Sequence, residues 1–214
     1  MLLKSLGLGE LPKNSLLLIE EDLGEIKSTF LQLLVLDSLK KGQKVQYIST
    51  RRPAEDILEN IGFLGPAAGI DIKNLTIQGD FKSRESFIEI CNSFLAQKDV
   101  KPVDVCIVDT FSALYIEENV QNLNTDINLL LKTSRKCSII FLLASDIGVL
   151  QERQERFLRS MTDGIVQFRT EYLTGKVNRF ISIPKMKGVP PIDRLIPYKI
   201  KEGTIAPDTR ERIG

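Results

Sequence analysis

Short apolar runs alternate with amphipathic segments along the first three quarters of the chain. The apolar runs predict strands at 16–19, 45–49, 74–77, 103–108 and 138–144. The amphipathic segments predict helices at 25–41, 54–61, 86–97, 123–134 and 150–161. Two of the runs, 103–108 and 138–144, are apolar almost throughout, which is typical of strands that are buried on both faces of a parallel sheet.

The pattern changes after Thr162, where helical segments give way to short strands joined by turns. These strands are predicted at 164–170, 176–184 and 195–200. Together the two patterns predict an α/β fold with a mostly parallel central sheet flanked by helices and a C-terminal antiparallel β extension. We interpret 1–214 as one domain, with a βα core at 1–161 and a β-rich C-terminal part at 162–214.

Composition narrows the classes of function. The net charge of +1 gives no chain-wide field that would attract nucleic acid. No apolar run reaches the roughly 18 residues that span a bilayer, and residues 1–6 lack the apolar core of a signal peptide. The absence of histidine removes the commonest acid–base group and zinc ligand. Cys91, Cys106 and Cys137 are widely spaced in apolar surroundings, so we interpret them as reduced core thiols of a cytoplasmic protein.

The connection between the first strand and the first helix has part of the pattern of a phosphate-binding loop. Lys27, Ser28 and Thr29 stand where the pattern G-x-x-x-x-G-K-[ST] places its lysine and hydroxyl residues. Aligned on Lys27, that pattern requires glycine at positions 21 and 26, where this chain has Glu21 and Ile26. Glycines let the backbone wrap a phosphate closely, and a β-branched residue resists the positive φ values involved.

Acidic residues fill the same connection. Glu20, Glu21, Asp22 and Glu25 lie where a triphosphate would arrive. One like-charge contact near 4 Å costs about 1 kcal/mol in water and about 4 kcal/mol at an effective dielectric of 20. Asp22 and Glu25 also have the spacing of a capping box, and negative side chains stabilise a helix start. We therefore expect Glu21, Asp22 and Glu25 to fill the anion site from within the chain.

Five segments resemble, in order and spacing, the RecA superfamily and within it the KaiC/RadA-like ATPases, including their archaeal, FlaH-like members. The resemblance covers nearly the whole chain and rests on the segments 11–15, 44–50, 105–109, 184–188 and 194–198. It implies a RecA-like P-loop NTPase fold. It also implies that Asp109 occupies the position of the Walker B carboxylate, which is associated with Mg²⁺ in the family.

The resemblance also identifies residues that depart from the family pattern or carry its contacts. Acidic residues that orient the attacking water follow the second strand in KaiC-like proteins, where this chain has Arg51 and Arg52. Arginine stays protonated and cannot act as a general base. Lys185 and Lys187 lie where family members extend basic side chains toward a neighbour's nucleotide. Their other interpretation is two solvated lysines on an edge strand.

Two interpretations of the remaining loop residues stay open. In one, Asp109 is a buried acid paired with Lys27 or Ser28, Lys27 is a structural ion-pair residue, and no nucleotide or metal is bound. In the other, a vestigial site holds Mg-ATP. Its cofactor-binding candidates are Lys27, Ser28, Thr29 and Asp109.

These observations lead to three hypotheses about function. The first is a catalytically degenerate RecA/KaiC-like protein without catalytic residues, a pseudo-ATPase that acts as a regulatory or assembly subunit, binds a protein partner and forms homo- or hetero-oligomers. The second is an ATP-binding switch with residual nucleotide affinity. The third is a recombinase-paralogue-like DNA-binding accessory protein that uses the loops after Asp109 and at 146–153, which contain no aromatic stacking platform.

Overall fold

A computed structural model describes residues 8–22, 24–64, 72–97, 102–190, 192–201 and 204–208. The strands are β1 Leu16–Glu21, β2 Val45–Ser49, β3 Leu75–Gln78, β4 Val105–Asp109, β5 Ile140–Asp146, β6 Gly164–Leu173, β7 Lys176–Met186, β8 Ile192–Lys201 and β9 Thr204–Pro207. The α-helices are α1 Ile26–Lys40, α2 Ala54–Leu64, α3 Arg84–Ala96, α4 Val120–Cys137 and α5 Glu152–Met161. Short 3₁₀ helices occupy Ile72–Asn74 and Phe111–Tyr115.

The strands form one sheet in the order β3-β2-β4-β5-β1-β6-β7-β8-β9. Neighbours from β3 to β6 run parallel, and β6 to β9 run antiparallel. The predicted α/β architecture, with its antiparallel C-terminal extension, is thereby confirmed. The parallel core places the carboxyl ends of β1, β2, β4 and β5 at one edge of the sheet, where ligands bind in open α/β sheets.

Helices cover both faces of the sheet and bury two apolar layers. Helices α1 and α2 pack on one face, with Phe30 and Ile57 in that layer. Helices α3, α4 and α5 pack on the other, with Phe87, Leu123 and Leu158 in theirs. Because side chains alternate along a strand, β1 contributes Leu17 and Ile19 to the first layer, and Leu16 and Leu18 to the second.

Most element boundaries differ from the sequence prediction by one to three residues, and three differences have a clear physical reason. β1 continues two residues beyond the predicted end at position 19 and so includes Glu20 and Glu21. Helix α2 passes through Gly62 and ends at Leu64, because a single glycine lowers helix stability without terminating it. β9 was not predicted, since four residues that end in proline give little strand signal. In the described part of the chain, no helix has both the length and the apolar character of a membrane span.

Candidate functional site

Acidic side chains meet at the carboxyl edge of the parallel sheet. Glu21 ends β1, Asp109 ends β4, and Asp146 ends β5. Strand register brings two of them together, because Glu21 pairs with Asp146 across β1 and β5. The loop from β1 into α1 crosses this edge, so the first backbone amides of α1 and the side chain of Lys27 face these carboxylates.

The carboxylate of Glu21 accepts hydrogen bonds from the first two amides of α1. The amide of Ile26 donates to Oε1 at 3.2 Å, and the amide of Lys27 donates to Oε2 at 3.0 Å. Glu21 is only 2 % exposed. A helix N-terminus carries unsatisfied N–H groups and a partial positive charge, which favour an anion there. In this structure that anion is a side chain of the same protein.

Gly24 makes room for the Glu21 carboxylate. Its φ of +134° lies in a region that residues with a side chain rarely adopt. A Cβ atom built on Gly24 would lie 2.6 Å from Oε1 of Glu21, closer than any normal contact. The single glycine of the loop therefore serves the internal carboxylate.

Burial raises the pKa of Glu21 above its ordinary value. The bond from the Lys27 amide, the Lys27 charge and the bond from the Ile26 amide oppose this effect, while the neighbouring Asp146 charge adds to it. Desolvation outweighs the favourable contacts. The carboxylate is thus held in place by hydrogen bonds at an electrostatic cost.

Lys27 makes an ion pair with Asp146 rather than with Asp109. Its Nζ lies 2.5 Å from Oδ1 of Asp146 and 3.9 Å from Oε2 of Glu21, and the side chain is 1 % exposed. Arg51 approaches the other Asp146 oxygen at 3.7 Å from the solvent side. Asp146 therefore forms ion pairs with two basic side chains, and Lys27 is a structural ion-pair residue in this conformation.

Asp109 is bound by hydroxyl groups. Ser28 Oγ donates to Oδ1 at 3.0 Å, and the buried Tyr47 hydroxyl donates to Oδ2 at 2.7 Å. Burial and the Asp109 charge together raise the pKa of Tyr47 well above its ordinary value, so the phenol remains a donor. Of the two partners predicted for Asp109, the structure has Ser28 and not Lys27. Thr29 lies apart, with its hydroxyl 3.4 Å from the carbonyl oxygen of Glu25.

The predicted capping box of Asp22 and Glu25 is wrong. Helix α1 begins at Ile26, so Glu25 is its N-cap residue, and within the described part of the chain its side chain makes no cap bond. Glu25 instead pairs with Arg52, and that bond raises the pKa of the guanidinium. Asp22 is exposed. Of the three acids expected to fill the anion site, Glu21 contacts the helix amides.

Glu20 lies on the opposite face of the sheet from Glu21, because consecutive strand residues point to opposite sides. Its two carboxylate oxygens accept from Nε of Arg159 at 2.8 and 3.0 Å, and one also accepts from Gln167 at 2.7 Å. The expectation that Glu20 repels a phosphate at the loop is therefore wrong. This residue joins β1 to α5 and β6.

The two lysines near the C-terminal strands bond to carbonyl oxygens of their own chain. Lys185 Nζ donates to Ser160 at 3.1 Å, and Lys187 Nζ donates to Asn14 at 3.0 Å. The predicted edge-strand position is wrong, because β7, which contains Lys185, lies between β6 and β8, and Lys187 follows the end of β7. Both side chains are exposed, and their contact with a neighbouring subunit stays a prediction.

Two important site residues were missed by sequence reasoning. Asp146 follows an apolar run, as Asp109 does, and acids at the ends of parallel strands collect at one edge, so a signal for it existed. Tyr47 gave no comparable signal, because it lies inside a strand that is buried throughout. The structure contains no group of three or more potential metal ligands among its described residues.

The strand order and the β1–α1 loop together define a RecA-type ATPase fold. The loop lies at the carboxyl ends of the parallel strands. It is followed by Lys27 and by a hydroxyl residue, Ser28, that is bonded to the β4 aspartate. The chain belongs to the KaiC ATPase family, whose model matches residues 3–209. No curated relative matches the sequence.

Two solved structures from archaea share this fold. The flagellar accessory protein FlaH from Methanocaldococcus jannaschii superposes with a TM-score of 0.76 at 19 % identity, over 97 % of this chain and 94 % of that one. A KaiC-like protein from Pyrococcus horikoshii OT3 superposes with a TM-score of 0.71 at 16 % identity, over 94 % and 92 % of the two chains. At these identities the likeness shows the fold alone.

Proposed function

We propose that this chain is a KaiC-family domain that does not hydrolyse ATP and that acts as a regulatory or assembly subunit by binding a protein partner. The observation that carries the proposal is the Glu21 carboxylate on the amides of Ile26 and Lys27. In a phosphate-binding loop those amides face a phosphate. Here they already have an anionic partner.

The lysine supports the same proposal. A phosphate that approached Lys27 would have to displace Asp146 from 2.5 Å and would meet the carboxylate of Glu21 beside it. Both carboxylates repel a phosphate. Binding would require that Glu21 leave its two amides and that Lys27 exchange one anion for another.

The residues after β2 argue against hydrolysis. Arg51 and Arg52 follow this strand, and both are engaged with acids, Asp146 and Glu25 respectively. A guanidinium cannot accept a proton from an attacking water.

The free cysteines fit a reducing compartment, and we place the protein in the cytoplasm on that ground.

Calorimetry with Mg-ATP and with Mg-ADP tests the proposal. We expect no saturable heat for the wild-type protein at millimolar nucleotide. A variant with Glu21→Gly and Ile26→Gly, which restores the loop pattern, should gain saturable binding that a further Lys27→Ala substitution removes. Saturation of the wild-type protein at micromolar nucleotide would overturn the proposal.

One observation favours a second candidate function, an ATP-binding switch. Ser28 Oγ lies 3.0 Å from the Asp109 carboxylate, so the hydroxyl and acid associated with Mg²⁺ in P-loop proteins remain side by side. This hypothesis predicts a rise in melting temperature with Mg-ATP in the wild-type protein. The rise should disappear in Lys27→Ala and persist in Lys41→Ala, which alters an exposed lysine at the other end of α1.

A further inference from the structure

Strands β6 and β7 continue past the end of the parallel sheet as an exposed hairpin. β6 runs beside β1 only from Gly164 to Phe168, which pairs with Glu21 at the end of β1. From there β6 continues to Leu173, and five strand residues extend about 17 Å. Every residue of 171–177 is exposed, and we call this segment the hairpin tip.

Apolar side chains occupy both faces of the hairpin tip. Tyr172 pairs with Val177 across the hairpin, so these two side chains lie on one face. Leu173 follows Tyr172 along β6 and therefore lies on the opposite face. The exposed fractions are 69 % for Tyr172, 58 % for Leu173 and 42 % for Val177. No described residue of the chain covers these three side chains, although burial would be favourable for each of them.

Basic side chains lie closer to the body of the sheet, again on both faces of the hairpin. Arg179 comes two positions after Val177 on β7, so both lie on one face. Arg169 comes four positions before Leu173 on β6, so these two lie on the other face. Three basic residues and one acid give the segment 169–179 a net charge of +2. The tip is therefore apolar at its end and positively charged around its base.

This arrangement fits a lipid surface better than a protein groove. A folded partner contacts one face of a hairpin, whereas a bilayer surrounds an inserted tip on every side. Tyrosine is favoured at the interface between membrane and water, and leucine is favoured in the apolar layer beneath it. Cations at the base of the tip then lie at the level of the lipid headgroups, where anionic headgroups attract them.

We propose that the hairpin tip inserts into the surface of a bilayer that contains anionic lipids. The three apolar side chains enter the boundary between headgroups and acyl chains, and the basic side chains lie among the headgroups. The contact is reversible, because it combines a small apolar area with a few charges. The hairpin extends past the carboxyl end of β1, so this contact places that edge of the sheet on the membrane side. The inference goes beyond the proposed function, because its occupant is a lipid surface and the Glu21 loop takes no part in it.

A tryptophan introduced at the tip tests the insertion, because the chain has no tryptophan of its own. Tyr172→Trp keeps an aromatic residue that is favoured at the membrane interface. With vesicles of equal parts phosphatidylcholine and phosphatidylserine, its emission should shift to shorter wavelength, and brominated acyl chains should quench it. Ile116→Trp should show neither effect, since Ile116 is an apolar residue outside the hairpin that is also 50 % exposed. No shift for Tyr172→Trp, or an equal shift for Ile116→Trp, would overturn the proposal.

Sedimentation of the protein with the same vesicles shows which groups carry the binding. Leu173→Asp should weaken binding about tenfold or more, because an apolar side chain is lost from the inserted tip. Arg179→Ala should weaken it about fivefold, the effect of one cation near an anionic surface. Arg135→Ala, which alters an exposed arginine of α4, should leave it unchanged. Unchanged binding of Leu173→Asp would contradict the insertion. Equal binding to vesicles of phosphatidylcholine alone would contradict the role of the charges.

Contact of the tip with a protein is the alternative outcome. If the Tyr172→Trp emission shifts with rising protein concentration in the absence of vesicles, the tip is buried against a second copy, and the lipid proposal is overturned. A cooperative thermal transition near that of the wild-type protein shows that each variant is folded. The hairpin substitutions leave Glu21, Lys27 and Asp146 unchanged, so the outcome is independent of the nucleotide experiments.

Discussion

The N-terminus of α1 differs from those of the three helices on the other face of the sheet. Ser83 caps α3 and Asn119 caps α4, each through its own side chain, and at α5 the Gln154 side chain accepts from the backbone amide of the N-cap residue Gln151. Helix α1 receives its cap from Glu21, which lies five and six residues before the amides it binds. A local cap needs only one suitable residue, whereas this remote cap also needs a loop that turns back toward the strand.

The comparison shows what is unusual at the α1 terminus. Its first amides and the Lys27 side chain face carboxylates, as the donors of an anion site do. The group that accepts from the amides is the carboxylate at the end of β1. The ordinary caps of α3 and α4 therefore provide matched controls for loss of the Glu21 cap.

The largest effect is expected when Lys27 loses its charge. Lys27→Met leaves Glu21 and Asp146 adjacent at the sheet edge without the buried cation, and breaking a buried ion pair costs about 3–5 kcal/mol. Urea denaturation at neutral pH measures this loss. Lys41→Met, which removes an exposed pair with Asp37, should cost below about 1 kcal/mol. Equal losses of stability in Lys27→Met and Lys41→Met would show that Lys27 does not form a buried ion pair.

A smaller but still large effect is expected for Glu21→Ala. It leaves two amides of α1 without their acceptor, at about 1–2 kcal/mol for each deserted donor, so a loss of about 2–4 kcal/mol is expected. Ser83→Ala removes one local cap bond and should cost about 1 kcal/mol. Chemical denaturation compares the two. A smaller loss for Glu21→Ala than for Ser83→Ala would remove the distinction between remote and local caps.

Gly24→Ala should be the next most damaging change. Its Cβ would displace the Glu21 carboxylate, in addition to the backbone strain of about 1–2 kcal/mol that a positive φ imposes. Gly148→Ala is the control, because Gly148 has a φ of +84° and no atom within 4 Å of an added Cβ. The additional loss of stability in Gly24→Ala relative to Gly148→Ala should vanish when both variants also carry Glu21→Ala. If the additional loss persisted in the double variants, Gly24 would not be required to make room for the Glu21 carboxylate.

The smallest effect is a dependence on pH. Burial raises the folded-state pKa of Glu21 above 4.5, so the folded protein binds this proton more tightly than the unfolded chain. Its contribution to stability is complete below pH 4.5 and is lost as the pH rises through the folded-state pKa. The free energy of unfolding of the wild-type protein minus that of Glu21→Gln should therefore fall over this range. The corresponding difference for Asn119→Ala should stay flat, because the Asn119 cap bond involves no ionisable group, and a rising difference for Glu21→Gln would contradict the burial.

The order of elements could be predicted from the sequence because apolar runs and amphipathic segments have different periods. The second strand was predicted at 45–49, as found. The end of β1 was placed too early, because a criterion based on apolar residues stops at the first acid. That error of two residues put Glu20 and Glu21 in the loop, and so both appeared to face the same ligand.

The partners within the site could not be derived in the same way. Lys27 and Asp146 are 119 residues apart, and their contact depends on which strand lies next to β1 and in which register. The capping box failed for a local reason, since α1 begins at Ile26 and its N-cap therefore falls on Glu25. Spacing along the chain identified acids at a helix start, but only the backbone path selects the one that reaches the amides.

Glu21 differs from a diffusing anion in how it competes. It is joined to α1 through four loop residues, and a group held on a short tether acts at an effective concentration of about millimolar or more. A free phosphate that the amides bind as well as the carboxylate occupies half of the molecules only when its concentration reaches that effective concentration. If the amides prefer the carboxylate, the required concentration is higher by the same factor. Under the proposed function, the covalent chain therefore sets the occupancy of this cradle, and a nucleotide competes for the amides only above that concentration.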